Sequence, residues 1–225
     1  MKTLAQCISD FETMKHEMRD ECYRAFNDVS LEVQTKKLNQ SGILDETQRR
    51  EILSNLNVRP ALLVHIAEQM RSESNGMKVF AEVGTAQGLQ SLCFARNFQS
   101  SKVYTCDIKD DRSIFTKDKE NIKFILGNSQ SMRDQIPDNE KLDFCWIDGS
   151  HDSYAVIEDF ISLFGKSHKD TIWAFDDFDT RFGCYNDIVL LAGHFRDSIA
   201  LNLGLTASGS PNKILIAREF KSFSL

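Results

Sequence analysis

The sequence predicts an α/β domain on a largely parallel, seven-stranded sheet, preceded by a helical N-terminal extension. Three observations lead there. Beyond Gly76, short apolar runs alternate with helical or loop segments, as in a parallel sheet with crossover helices. The first run ends in the glycine turn Gly84-Thr85-Ala86-Gln87-Gly88, and a helix-compatible stretch from Leu89 to Phe98 follows. Before Gly76, apolar residues recur at the spacing of amphipathic helices.

Taken in order, Leu4, Ile8, Phe11, Met14, Met18, Cys22 and Phe26 place one apolar stripe on a first helix that must dock on something. A polar break at Asn39 to Gly42 follows, and Asp45 with Arg49 begins a second helical stretch. Pro60 opens a third through Ala61, Leu62, Leu63, Ile66 and Met70, because its fixed φ suits a first helical turn. After a turn ending at Gly76, the expected strands are Val79–Val83, Lys102–Cys106, Ile122–Leu126, Leu142–Ile147, Thr171–Phe175, Ser198–Leu203 and Lys213–Ala217. The last two are joined by a loop rich in turn residues (Gly209, Ser210, Pro211), which suits an antiparallel closing hairpin. The chain therefore divides into a helical extension over 1–59 and an α/β domain over 60–225.

With 225 residues, 41% hydrophobic and 27% charged residues and three prolines, the composition is that of a soluble globular protein able to bury a large core. A formal net charge of −6 works against a nucleic-acid partner, and the pairs Lys36-Lys37 and Arg49-Arg50 are balanced by nearby acids. Six cysteines include no C-x-x-C pair, and Cys106 and Cys145 fall within expected strands, so they read as small core residues in a reducing compartment. Acids interrupt the N-terminus MKTLAQCISDFE before any signal-like apolar stretch, and no run is long enough to span a membrane. A cytoplasmic protein without a membrane partner is expected.

The glycine turn suits a nucleotide-like ligand. Gly84 can take a positive φ, Gly88 lets backbone approach a ligand closely, Thr85 and Ala86 lie between them, and the helix start offers free N–H groups. A tight structural turn also explains such a pair. The spacing is G-x-x-x-G with Glu82 two residues ahead, not the G-x-G-x-x-G of nicotinamide-dinucleotide sites. Asp107 ends the second strand, about twenty positions after Gly88, where an acid can accept both ribose hydroxyl protons. The third strand ends in Gly127-Asn128-Ser129, short polar groups within reach of a base edge.

In these features the sequence resembles class I S-adenosylmethionine (SAM)-dependent methyltransferases, from about Pro60 to the C-terminus. The E-x-G-x-x-x-G turn, the second-strand acid and a fourth-strand D-G pattern occur in the family's order. The resemblance implies a Rossmann-like sheet with an antiparallel last strand. It also implies SAM as cofactor, with Glu82 near the methionine amino group, Asp107 on the ribose and Asn128-Ser129 beside adenine. Many relatives carry serine two positions after the second glycine, where this chain has Gln90 and puts Ser91 one later.

Asp148 lies just past the fourth strand, and the fifth delivers Asp176-Asp177 to the same sheet edge. Three carboxylates there repel one another unless protonated or bound to a cation, and oxygen donors favour Mg²⁺, Ca²⁺ or Mn²⁺. Solvated loop acids are the alternative. The arrangement is similar to that of cation-dependent O-methyltransferases of the catechol and caffeoyl-CoA type, which imply Asp148, Asp176 and Asp177 as metal ligands. Where those enzymes have D-x-x-K-D-x-Y, this chain has Asp148-Gly-Ser-His151-Asp152-Ser-Tyr154, and its D-G-x-H form also resembles the methyltransferase 24 family and macrolide-sugar O-methyltransferases. A cation would acidify a coordinated hydroxyl and His151 could take the proton, or His151 could be a structural hydrogen-bonding residue. Phe178 and Tyr185 could line an acceptor pocket, and the N-terminal helices could cover the acceptor or form a homodimer contact. The expected function is O-methylation of a small hydroxylated acceptor. Its rivals are a metal-independent N- or C-methyltransferase, an NAD-linked oxidoreductase and a non-catalytic SAM-binding module.

Overall fold

The computed structural model describes residues 2–25, 47, 58–70, 78–112, 114–206 and 209–221. Helix α1 (Leu4–Ala25) and helix α2 (Val58–Met70) precede the sheet. Then follow β1 (Val79–Val83), α3 (Leu89–Asn97), β2 (Lys102–Asp107), α4 (Ile114–Lys117), β3 (Ile122–Leu126), α5 (Ser129–Arg133), β4 (Leu142–Ile147), α6 (Ala155–Phe164), β5 (Ser167–Phe175), α7 (Tyr185–Ala192), β6 (Phe195–Leu205) and β7 (Pro211–Phe220). The seven strands form one sheet in the order β3-β2-β1-β4-β5-β7-β6. Strands β1 to β5 pair in parallel, whereas β7 runs antiparallel to both β5 and β6. Strand order reverses between β1 and β4, so the crevice beyond their carboxyl ends is the natural ligand site of such a sheet.

The period-2 alternation of the central strands explains why both faces are covered. Phe80, Val103, Phe144, Trp146, Ile172, Ala174 and Ile216 face one way and share a core with α1, α2 and α3. Their neighbours Ala81, Tyr104, Cys106, Cys145, Ile147, Trp173 and Phe175 face the other way, against α5, α6 and α7. Phe80 and Phe94 stack with ring centroids 4.4 Å apart, joining β1 to α3.

The N-terminal part of the apolar stripe of α1 docks, whereas the side chains of Met18, Cys22 and Phe26 lie outside the described residues. Leu4, Cys7 and Phe11 are buried, whereas Met14 is exposed. The Leu4 amide donates to Asp197 on β6 (3.3 Å), an acid that also accepts from Arg218 on β7 (2.8 Å). The His65 Nε2 lies 3.1 Å from the Cys7 carbonyl and joins α1 to α2. The second helical stretch expected from Asp45 and Arg49, apart from the helical Thr47, and the turn ending at Gly76 lie outside the described residues.

Four expected strands are too short, β2 only by Asp107. Strand β5 begins at Ser167 instead of Thr171, β6 spans Phe195–Leu205 instead of Ser198–Leu203, and β7 spans Pro211–Phe220 instead of Lys213–Ala217. The added residues are largely polar or half-exposed, and backbone pairing carries them where side-chain burial does not. Pro60 lies within the first turn of α2, which begins at Val58. Among the described residues, no helix is long and apolar enough to cross a membrane.

Candidate active site

The carboxyl ends of β1, β2, β4 and β5 are tied edge to edge by backbone bonds. The Gly84 amide donates to the Cys106 carbonyl (2.9 Å), the Asp148 amide to Val83 (2.9 Å) and the Asp176 amide to Ile147 (3.0 Å). These bonds fix the rim to which the sequence assigned its site. Gly84 has φ +87°, and a Cβ there would lie 1.8 Å from the Asp148 carbonyl oxygen, so only glycine lets the β1 turn pass the end of β4.

At the first turn, the Asp107 carboxylate accepts from the Ala86 amide (2.8 Å) and the Lys109 amide (3.2 Å), which presents it beside Gly84-Thr85-Ala86. Thr85 turns inward instead, its hydroxyl 2.5 Å from that of Thr105. Thr105 in turn donates to Glu82 (2.8 Å), and so does Ser91 from α3. Burial pushes the Glu82 carboxyl up to about 7 despite those two bonds. A buried acid poised near neutrality responds strongly to any cation placed beside it.

At the third strand, the Asn128 side chain caps α5, accepting from the Ser131 amide (3.0 Å). Ser129 is buried, and its hydroxyl bonds Asp159. The structure thus places both residues at the rim with their side chains already engaged, Asn128 in capping α5 and Ser129 in tying α5 to α6. Two apolar side chains at the same edge stand in water: Ile108 is 77% exposed and Leu126 66%. The sequence reading missed them because each merely ends a strand.

The structure brings Asp148, Asp176 and Asp177 together, with one carboxylate oxygen from each lying within 4.8 Å of the others. Asp177 has φ +55°, a left-handed conformation uncommon outside glycine and asparagine and frequent at functional sites. Burial, reinforced by repulsion from Asp176, raises Asp148 well above the usual carboxylate range and brings Asp177 up to about 6. Asp177 bonds the Nδ1 of His151, and the His151 ring lies 5.4 Å from that of Phe182. Phe178 and Tyr185 lie ring to ring at 5.0 Å. Asp179 stands apart from the cluster, held by Lys213 (2.7 Å) and Arg181 (3.0 Å).

Arg59, in the first turn of α2, was not singled out by the sequence. Its guanidinium pairs with Asp176, approaches Asp148 at 3.6 Å and stands over the Trp146 ring with its central carbon 5.1 Å from the centroid. Burial opposes its charge, but Asp176 and Asp148 outweigh that and hold it firmly protonated. No motif marks it, and only the packing of α2 on the strand ends reveals it. Three hard oxygen donors suit a divalent cation. Were all three carboxylates ionised, one arginine would leave a net charge of −2 in the cluster, which one such cation would cancel.

The fold is similar to that of SAM-dependent methyltransferases. Residues 81–178 match the methyltransferase 24 family, described as a methyltransferase domain. The structure is similar to that of TomG, an O-methyltransferase from Streptomyces achromogenes involved in tomaymycin synthesis and solved with SAM. The TM-score is 0.58 and the identity 14%, over 82% of this chain and 96% of that one. It is also similar to an O-methyltransferase from Bacillus cereus solved with SAH (TM-score 0.57, 17% identity, 79% and 92% coverage). An rRNA methylase from Streptococcus thermophilus shares the fold (TM-score 0.51, 14% identity, 71% and 97% coverage), so the fold does not choose the acceptor. Among curated proteins, none matches the sequence.

Proposed function

We propose that the protein transfers the methyl group of SAM to an oxygen of a small hydroxylated acceptor, with His151 as the base. The observation that carries this is the His151–Asp177 pair at the strand edge. Asp177 accepts from Nδ1–H, which fixes the tautomer and leaves Nε2 as the basic nitrogen. Oxygen is a weak nucleophile until it loses its proton, so a base aimed at the acceptor is what an O-methyltransferase needs. His151 Nε2 takes the hydroxyl proton as the oxygen lone pair forms the new C–O bond. SAM supplies the methyl group on a sulfonium, and the broken C–S bond returns its electrons to sulfur.

The remaining rim residues bind and orient. Glu82 faces the methionine ammonium, Asp107 the ribose hydroxyls, and the Gly84-Thr85-Ala86-Gly88 turn the methionine and ribose portion. Ile108 with Asn128 and Ser129 borders the adenine. Asp148, Asp176 and Asp177 fit a divalent cation, Mg²⁺ being the hard ion of choice, and when bound it would acidify a coordinated acceptor hydroxyl. Arg59 brings α2 to this rim, which supports the N-terminal helices as part of the acceptor cover.

The test begins with calorimetric titration of the protein with SAM and with NAD⁺, followed by an acceptor screen against hydroxylated small molecules. SAM is expected to bind and NAD⁺ not to. His151→Ala is expected to keep SAM affinity and lose methyl transfer by roughly 10²-fold or more. NAD⁺ binding without SAM binding would overturn the proposal.

A further inference from the structure

We infer that Arg59 is a built-in counter-cation that competes with divalent metal for the carboxylates of Asp148 and Asp176. The inference rests on the cation site proposed above. Arg59 uses the same two side chains a metal would need: one guanidinium nitrogen bonds Asp176 and the other lies 3.6 Å from Asp148. Both contacts are to Oδ2 oxygens and draw on charge a dication must share.

The seat is made for arginine. Trp146, 1% exposed at the end of β4, lies beneath the guanidinium, and a planar delocalised cation stacks on indole where a compact hydrated ion would not. Pro60 follows Arg59 directly, and Ala61, Leu62 and Leu63 bury the rest of that turn in the core. The arginine backbone is therefore anchored by apolar packing that owes nothing to the cluster. Arg59 can leave the carboxylates by swinging its side chain, whereas moving the helix would expose those residues.

Competition follows whether the arginine is displaced or stays. If it swings away, metal binding bears the loss of its ion pairs and its ring contact. If it remains, it repels the incoming dication across a partly desolvated rim. Either course weakens the metal, so removing Arg59 strengthens it. Lysine keeps the charge but neither forks between two carboxylates nor stacks as well, and is expected to fall between.

The experiment is a Mn²⁺ titration of the whole protein followed by electron paramagnetic resonance of free Mn²⁺, on wild type, Arg59→Met and Arg59→Lys, with thermal unfolding of each as a check on folding. Arg59→Met is expected to bind Mn²⁺ at least tenfold more tightly than wild type, and Arg59→Lys to lie between them. Should Arg59→Met not fold, Arg59→Lys must still bind more tightly than wild type. Equal or weaker Mn²⁺ binding by the folded variants overturns the inference and leaves the cation site standing. Absence of Mn²⁺ binding in every variant overturns both. SAM titration of the same samples reports on the methyltransferase proposal independently.

Discussion

At the scale of single residues, the rim holds ionisable groups whose environments move them toward neutral pH. Glu82 is the clearest case. Burial favours its protonated form in the folded protein, raising it from 4.5 to about 7. Its contribution to stability is therefore greatest below 4.5 and falls as pH rises toward 7, by roughly 3 kcal/mol at most. Denaturant unfolding as a function of pH is expected to show that slope and Glu82→Gln to flatten it. An ammonium beside Glu82 favours the ionised form, so SAM binding below pH 7 is expected to release a proton and to tighten as pH rises to about 7. Calorimetry in buffers of different ionisation enthalpy checks this, with Glu82→Gln again as the control. Gly84 is sensitive for a steric reason: Gly84→Ala drives a Cβ into the Asp148 carbonyl from a positive-φ backbone. A loss of about 3 kcal/mol or more, read by chemical denaturation, is expected together with impaired SAM binding.

At the scale of elements, what the sequence revealed depended on whether burial or pairing made the element. The stripe Leu4, Ile8, Phe11 announced α1 because a helix must hide its apolar face, and the structure buries Leu4 and Phe11. Strands β1 and β4 were legible for the same reason, each being an apolar run broken by a single acid, Glu82 or Asp143. The ends of β5, β6 and β7 were not, because residues such as Asp170 and Arg196 sit exposed in strands held by backbone bonds. Among site residues, the carboxylates and His151 follow strand ends and could be located by counting. Arg59 comes from a helix far away in sequence, so its arrival at Asp176 depends on tertiary packing that no spacing encodes. The packing of α1 is testable directly. Phe11 is 1% exposed and lies 5.8 Å ring to ring from His65, so Phe11→Ala is expected to cost about 3–5 kcal/mol of unfolding free energy.

At the scale of the whole molecule, one rigid rim gathers groups from widely separated parts of the chain: Arg59 on α2, Glu82 on β1, Asp107 on β2, Asp148 and His151 after β4, and Asp176 and Asp177 after β5. The parallel α/β architecture was legible in the alternation of apolar runs and helical segments, whereas the order of the strands was not. The acceptor was not, because the fold is shared by O-methyltransferases and an rRNA methylase alike. The position of β7 carries one more consequence. It lies between β5 and β6, and β6 touches the sheet only through it. A nascent chain that has reached β6 but not β7 therefore leaves the flank of β5 bare, a row of unpaired amides and carbonyls beside Trp173 and Phe175. Until Phe220 clears the ribosome the growing polypeptide carries a sticky edge, and a stalled or prematurely released product is a seed for aggregation and a client for chaperones.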